Sequence, residues 1–73
     1  MSDPLLDEVM VLAREGEGTA KALIMKLESL DSAMRAAKCT TEQLRQFANA
    51  TERVRATRLF LQRLAERIAE GGA

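Results

Sequence analysis

Residues 20–47, AKALIMKLESLDSAMRAAKCTTEQLRQF, decide the fold of this chain. In the first part of this stretch, apolar residues recur at alternating steps of three and four, which is the heptad spacing of a helix that packs along one line. That line comprises Ala20, Leu23, Leu27, Leu30, Met34 and Ala37, with Ile24 beside it. The residues between them are mainly charged or polar. The spacing predicts an amphipathic helix over about residues 18–38, roughly 30 Å long at a rise of 1.5 Å per residue.

The polar window Lys38–Thr41 predicts the end of this helix and the start of the next one. Thr40 is followed by Gln43 at the third position, which matches a capping box, where each side chain accepts a hydrogen bond from the other residue's backbone N–H. Helices joined by so short a connection pack as antiparallel neighbours.

A second helix is predicted over about residues 41–70, ending at Gly71-Gly72 because glycine is favoured just past a helix C-terminus. Its apolar line is Phe47, Ala50, Val54, Thr57, Leu61, Leu64 and Ile68, with Leu44 upstream. Two lines of equal period across a tight turn predict an all-α fold, an antiparallel helical hairpin that resembles a coiled coil. The predicted hairpin core is Leu23, Leu27, Leu30, Met34, Leu44, Phe47, Val54, Leu61, Leu64 and Ile68.

The N-terminal segment begins with a second helix-start signal. Asp3 can cap a helix, and Pro4 suits the first helical position because its missing N–H would be unpaired there. Gly16 and Gly18 then interrupt the pattern, and each costs roughly 1 kcal/mol in a helix interior relative to alanine. We therefore expect a short additional N-terminal helix over about residues 4–15, within a single domain that covers residues 1–73.

Composition argues against catalysis and against metal or cofactor binding. The chain has 73 residues with no histidine and one cysteine, Cys39. One cysteine cannot form an intramolecular disulfide, and without histidine it cannot complete a Cys/His zinc site. The usual general base is missing, and Cys39 has no histidine to activate it. We predict that the protein is not an enzyme and has no cofactor.

Charge and hydropathy argue against nucleic acid and membrane as partners. The net charge is zero: residues 1–37 carry seven acids and four bases, and residues 38–73 carry the reverse. A possible basic stripe, Arg45, Arg55, Arg58 and Arg63, is interleaved with Glu52, Glu66 and Glu70, and no aromatic platform accompanies it. Apolar runs of about four residues are far too short to insert in a bilayer. A lone cysteine and no signal peptide predict a cytoplasmic location.

The predicted hairpin does not bury all of the apolar residues of the chain. Leu59 and Phe60 broaden the apolar arc of the last helix beyond what one neighbour needs, and the N-terminal segment has a surplus of its own. Either the segment folds back over Leu59 and Phe60, or a partner chain, self or other, covers them. We predict a protein interface that contains Leu5, Leu6, Val9, Met10, Leu59 and Phe60.

Thr19–Ile68 resembles the small helical-hairpin co-chaperones of bacterial type III secretion systems, the YscE/PscE-like group. The similarity lies in the size, the leucine-rich first helix that ends in a short polar turn, and the second-helix opening TEQLRQF at residues 41–47. Leu44 stands where those relatives tend to carry tyrosine.

The resemblance implies a bacterial cytoplasmic protein involved in virulence. Such a protein forms a heterodimer with a larger tetratricopeptide-like chaperone, and the pair keeps the needle subunit monomeric before export. The alternative from the residues is a homodimer in which two hairpins form a four-helix bundle that acts as a scaffold or regulator.

Overall fold

The computed structural model describes residues 3–71 of the chain. Over this range the chain forms two α-helices, α1 (Pro4–Ala36) and α2 (Thr41–Ala69), which pack together as an antiparallel hairpin. The hairpin is a rod with extents of 56 × 16 × 15 Å. The described residues contain no strand, and the predicted all-α hairpin is confirmed. Neither helix has a stretch long and apolar enough to cross a membrane.

Both helices start where the capping signals predict. The Asp3 carboxylate accepts a hydrogen bond from the Leu5 backbone N–H at 2.9 Å, and Pro4 takes the first helical position. At the start of α2, the Thr40 hydroxyl accepts from the Gln43 N–H at 3.1 Å. The Gln43 side-chain oxygen accepts in return from the Thr40 N–H at 2.9 Å. The capping box is therefore complete and satisfies two backbone donors at the turn.

The turn between the helices depends on a left-handed residue. Lys38 has a φ of 59°, which lets the chain leave α1 in a Schellman motif. The Cys39 N–H donates to the Met34 carbonyl at 3.0 Å, and the Lys38 N–H donates to the Arg35 carbonyl at 3.1 Å. These bonds satisfy two of the last carbonyls of α1 and turn the chain directly into the capping box of α2.

The end of α2 uses glycine in the same way. Gly71 has a φ of 73° and donates its N–H to the Ile68 carbonyl at 2.9 Å. Gly71 therefore takes the predicted position just past the cap residue, Glu70. Gly72, the second glycine of the predicted stop, lies outside the described residues.

The predicted separate N-terminal helix is wrong, because α1 runs without interruption through Gly16 and Gly18. Gly16 lies against α2: a Cβ built on it would be 3.0 Å from Cδ1 of Leu61. The missing side chain lets the two helices approach closely at this point. Packing of α1 on α2 to either side of the glycines offsets the helix propensity that they lose.

Each helix presents one line of covered residues to the other, again at alternating steps of three and four. We call these the core lines. They are Met10, Ala13, Glu17, Ala20, Ile24, Leu27, Asp31 and Met34 on α1, and Leu44, Phe47, Thr51, Val54, Arg58, Leu61, Ala65 and Ile68 on α2. Every one of these residues is buried or half-buried. The deepest are Ala13, Ala20, Ile24 and Ala65, so the centre of the hairpin consists mainly of small side chains.

Contacts between the helices set the antiparallel register. Gly16 lies opposite Leu61, and the Arg55 guanidinium lies 3.8 Å from the Glu28 carboxylate. In this register α1 begins roughly one helical turn beyond the end of α2. Leu5, in this overhang, is 71% exposed.

Two of the predicted core residues are wrong. Leu23 and Leu30 are 44% and 46% exposed, and Ile24 and Asp31, one position later, lie in the core line instead. Adjacent residues differ by about 100° around a helix, so a broad apolar stripe offers more than one line that could face a neighbour. The other predicted core residues are half-buried: Leu27, Met34, Leu44, Phe47, Val54, Leu61, Leu64 and Ile68.

The core line of α2 contains a charged residue, Arg58. Its Nε atom is buried without a hydrogen-bond partner. A buried donor left unpaired costs about 1–3 kcal/mol, because it gives up its hydrogen bond to water. Glu17 and Asp31 are half-buried in the core line of α1. The interface between the helices therefore gives up stability at Arg58, whereas Asp31 is paired with Arg35.

The two glycines of α1 should respond differently to alanine. We expect Gly18→Ala to raise the free energy of unfolding by about 1 kcal/mol, because the new methyl group meets open space and alanine favours the helix. Gly16→Ala should stabilise less, because Leu61 has to move to admit the methyl group. Thermal unfolding followed by circular dichroism would measure both. An equal gain at the two positions would contradict the close approach at Gly16.

The capping box predicts a difference between two neighbouring threonines. Thr40→Ala should lower the free energy of unfolding by about 1 kcal/mol, since it removes the cap on the Gln43 N–H. Thr41→Ala is the matched control, an exposed position inside the first turn that should change stability little. Urea unfolding of both variants would check this. Similar losses at both positions would rule the cap out as the cause.

Arg58→Leu should stabilise the hairpin by about 1 kcal/mol or more, since it removes a buried donor without a partner. Arg55→Leu is the control: this exposed arginine forms an ion pair of the kind that contributes about 1 kcal/mol or less. Chemical denaturation of both variants would compare them. A loss of stability in Arg58→Leu would mean that the arginine stem packs better than leucine can.

Candidate protein-binding surface

The hairpin has two flanks along which the helices meet solvent, and one of them is charged. A recess of about 420 Å³ opens there between the helices, lined by Lys21, Ile24, Met25, Glu28, Arg55, Arg58 and Leu59. A neighbouring recess of about 450 Å³ includes Asp31, Glu52 and the ion pair of Glu28 with Arg55. Both are lined by core residues and by the positions just after them in each helix. We call this side the charged flank.

The opposite side of the hairpin is apolar. In an antiparallel pair, the positions immediately before the core positions of one helix share a flank with the same positions of the other helix. These residues form the apolar flank: Val9, Gly16, Leu23 and Leu30 on α1, and Ala50, Thr57 and Leu64 on α2. None of them is charged, and Leu23 and Leu30 are large side chains left nearly half exposed.

A recess on the outer face of α2 extends the apolar flank. It has a volume of about 340 Å³ and is lined by Ala56, Leu59, Phe60, Arg63, Leu64 and Arg67. Phe60 is 63% exposed and lies one helical turn before Leu64, which belongs to the apolar flank. The flank and the recess therefore form one continuous surface.

The structure does not bring the six predicted interface residues together. Leu59 and Phe60 line the recess on α2, and Val9 belongs to the apolar flank. Met10 is half-buried in the core line of α1. Leu5 and Leu6 lie where α1 extends beyond α2.

Of the two alternatives for Leu59 and Phe60, the structure excludes cover by the N-terminal segment. The segment continues straight into α1 and lies beside the end of α2, so it cannot fold back onto the middle of that helix. Leu59 and Phe60 remain exposed large apolar side chains. Within the described residues, nothing from this chain covers them.

Sequence reasoning missed the role of Leu23, Leu30 and Leu64, which it placed in the hairpin core. A signal was present in α1, where Val9, Leu23 and Leu30 make a third position of the heptad apolar, whereas one neighbour covers mainly two. An apolar third position of the heptad indicates a second packing surface on the helix.

The described residues contain few side chains that could bind a metal ion or act as a nucleophile. No three Cys, Asp or Glu side chains among residues 3–71 are grouped so that they could hold a metal ion. Cys39 is free and half-buried in the turn between the helices. The most distinctive feature of the described surface is therefore the apolar flank with its arginine-edged recess.

No protein-family model, curated protein or solved structure matches the chain. The functional interpretation therefore depends on the geometry of this surface.

Proposed function

We propose that this chain is a protein-binding hairpin, which buries its apolar flank against helices of another protein. The observation that carries the proposal is the exposure of Leu23 and Leu30 on the flank and of Phe60 in the adjoining recess. An apolar stripe of this kind on a helix normally faces a further helix. Exposed contiguous apolar surface with a polar edge marks protein interaction sites in soluble proteins.

The surface area of the hairpin supports the same proposal. Its solvent-accessible surface is 5765 Å². A compact folded monomer of 8.1 kDa would expose roughly 4,500 Å². The excess of roughly 1,300 Å² is larger than the 800 Å² or so per partner that a stable protein interface buries. A partner on the apolar flank would cover surface that a monomer of this size normally buries.

The specific role that we propose is that of an export co-chaperone in a bacterial type III secretion system. Its basis is the resemblance of Thr19–Ile68, and above all of the opening TEQLRQF at residues 41–47, to the co-chaperone family. In this role the hairpin would bind a larger tetratricopeptide-like chaperone in the cytoplasm, and the pair would hold the needle subunit monomeric. Helical repeats offer the exposed helix faces that the apolar flank requires.

A homodimeric scaffold or regulator is the second candidate. The apolar flank includes residues of both helices, so two copies stacked on this flank would make a four-helix bundle. A homodimer has a melting temperature that rises with protein concentration in the absence of any partner. The heterodimer instead gains stability only when the chaperone is added.

Charged substitutions on the flank should abolish association while the hairpin stays folded. We expect Leu30→Glu and Phe60→Glu to retain helicity, because both side chains are already exposed. Each should weaken binding at least roughly 30-fold, the loss typical of a central apolar anchor. The measurement is size-exclusion light scattering of the chain with a candidate tetratricopeptide-like chaperone and needle subunit.

Met25→Glu is the control, since Met25 is as exposed as Phe60 and more exposed than Leu30 but lines the charged flank. It should leave binding within about twofold of the unaltered chain. Unchanged binding in Leu30→Glu and Phe60→Glu would contradict the proposal. So would a chain that remains a stable monomer with every partner tested.

A further inference from the structure

The recess on the outer face of α2 combines an apolar floor with a basic edge. Ala56, Phe60 and Leu64 follow one another at steps of four, so their side chains share one face of the helix. Arg63 and Arg67 lie three and seven positions after Phe60 and line the same recess. Two guanidinium groups therefore stand beside exposed apolar side chains.

Neither of these arginines has an acidic partner within residues 3–71. The ion pairs in this range join Arg35 to Asp31, Arg45 to Glu42 and Arg55 to Glu28. Glu66, next to Arg67, accepts a hydrogen bond from Gln62 instead. Glu70 follows on the same face but does not line the recess. The edge of the recess is thus positively charged and free to pair with another molecule.

The shape of the recess suits a helix. From Ala56 to Arg67 it extends roughly 16 Å along α2, which is about three helical turns. The apolar flank adjoins it through Leu64, so an incoming helix can lie along the hairpin and contact both α2 and α1. The apolar side chains of that helix would occupy the floor, and its flanking positions would meet the arginines.

We infer that this recess binds an acidic amphipathic helix of the partner protein, whose Asp or Glu side chains pair with Arg63 and Arg67. Guanidinium groups bind carboxylates through two parallel hydrogen bonds, and arginine is enriched at protein interfaces for this reason. The inference rests on the proposed function and adds the chemistry of the partner to it.

Charge favours such a helix over a second copy of the chain. The recess is lined by two basic side chains, Arg63 and Arg67, and by no acidic one. Two copies that met recess to recess would bring their four guanidinium groups together, which disfavours this pairing. An acidic helix would neutralise the same surface.

Two synthetic peptides test the inference on the full chain. Both have three heptads with leucine at the first and fourth positions, and they differ only in carrying glutamate or lysine at the flanking positions. We expect the glutamate peptide to bind about tenfold more tightly at low salt, and the difference to shrink as salt screens the charges. Fluorescence anisotropy of labelled peptides measures the affinity.

Variants with the charge of a single arginine reversed show which side chains cause the preference for the glutamate peptide. Arg63→Glu and Arg67→Glu should each weaken the glutamate peptide roughly fivefold and strengthen the lysine peptide. Arg45→Glu is the control, an arginine of the same helix roughly 27 Å from Arg63, and it should change either affinity by less than about twofold. Circular dichroism confirms that each variant is folded.

The outcomes separate this inference from the proposed function. Equal binding of the two peptides, abolished by Phe60→Glu, would overturn the acidic preference and leave the protein-binding role standing. Displacement of the glutamate peptide by a short DNA duplex at equal concentration would also overturn the inference, since the arginines would then serve phosphates. A chain that dimerises through Phe60 and binds neither peptide would overturn it in favour of a second copy. Failure of both peptides and of every protein partner would overturn the proposed function as well.

Discussion

Two helices cover mainly two of every seven positions on each other, and α1 is apolar at a third, which holds Val9, Gly16, Leu23 and Leu30. That mismatch governs the rest of the structure. The core lines take two positions, and the third becomes the apolar flank with Leu23, Leu30 and Leu64. The hairpin therefore carries a second packing surface along much of its length. Burial of that surface needs another helix, because the connection at Lys38–Thr40 returns the chain only once.

Several residues in the core lines are smaller or more polar than the leucines that remain on the flank. Ala13, Ala20 and Ala65 are deeply buried, and together with Gly16 they let the helices approach closely. The line that faces inward also holds the ill-suited Arg58, while Leu23 and Leu30 face outward. A hairpin built for stability alone would bury its leucines first. The arrangement is better suited to a bundle in which a further helix completes the core on the apolar flank.

Local interactions determine where the helices begin and end, and they do so independently of packing. The reciprocal bonds of Thr40 and Gln43 hold the start of α2, and the left-handed Lys38 ends α1 only two residues earlier. Such bonds contribute about 1 kcal/mol each, which is a large share of the stability of so small a domain. They explain how a hairpin with a thin core can keep one register while its flank remains available to a partner.

From the sequence alone, the all-α hairpin, its turn and its helix ends could be predicted, because capping residues and a 3–4 repeat are local signals. It also followed that the neighbouring hairpin helix leaves Phe60 uncovered, since a single neighbour cannot cover so broad an arc, but cover by the N-terminal segment stayed open. The sequence could not determine which apolar line faces inward, because neighbouring lines have the same period and differ only by a rotation of the helix. Nor could it show that α1 continues through Gly16 and Gly18, where local propensity favours a break. Only the tertiary structure decided which apolar line faces inward and whether α1 continues through the glycines. Close contact with Leu61 makes Gly16 a packing position, although glycine is unfavourable in an isolated helix.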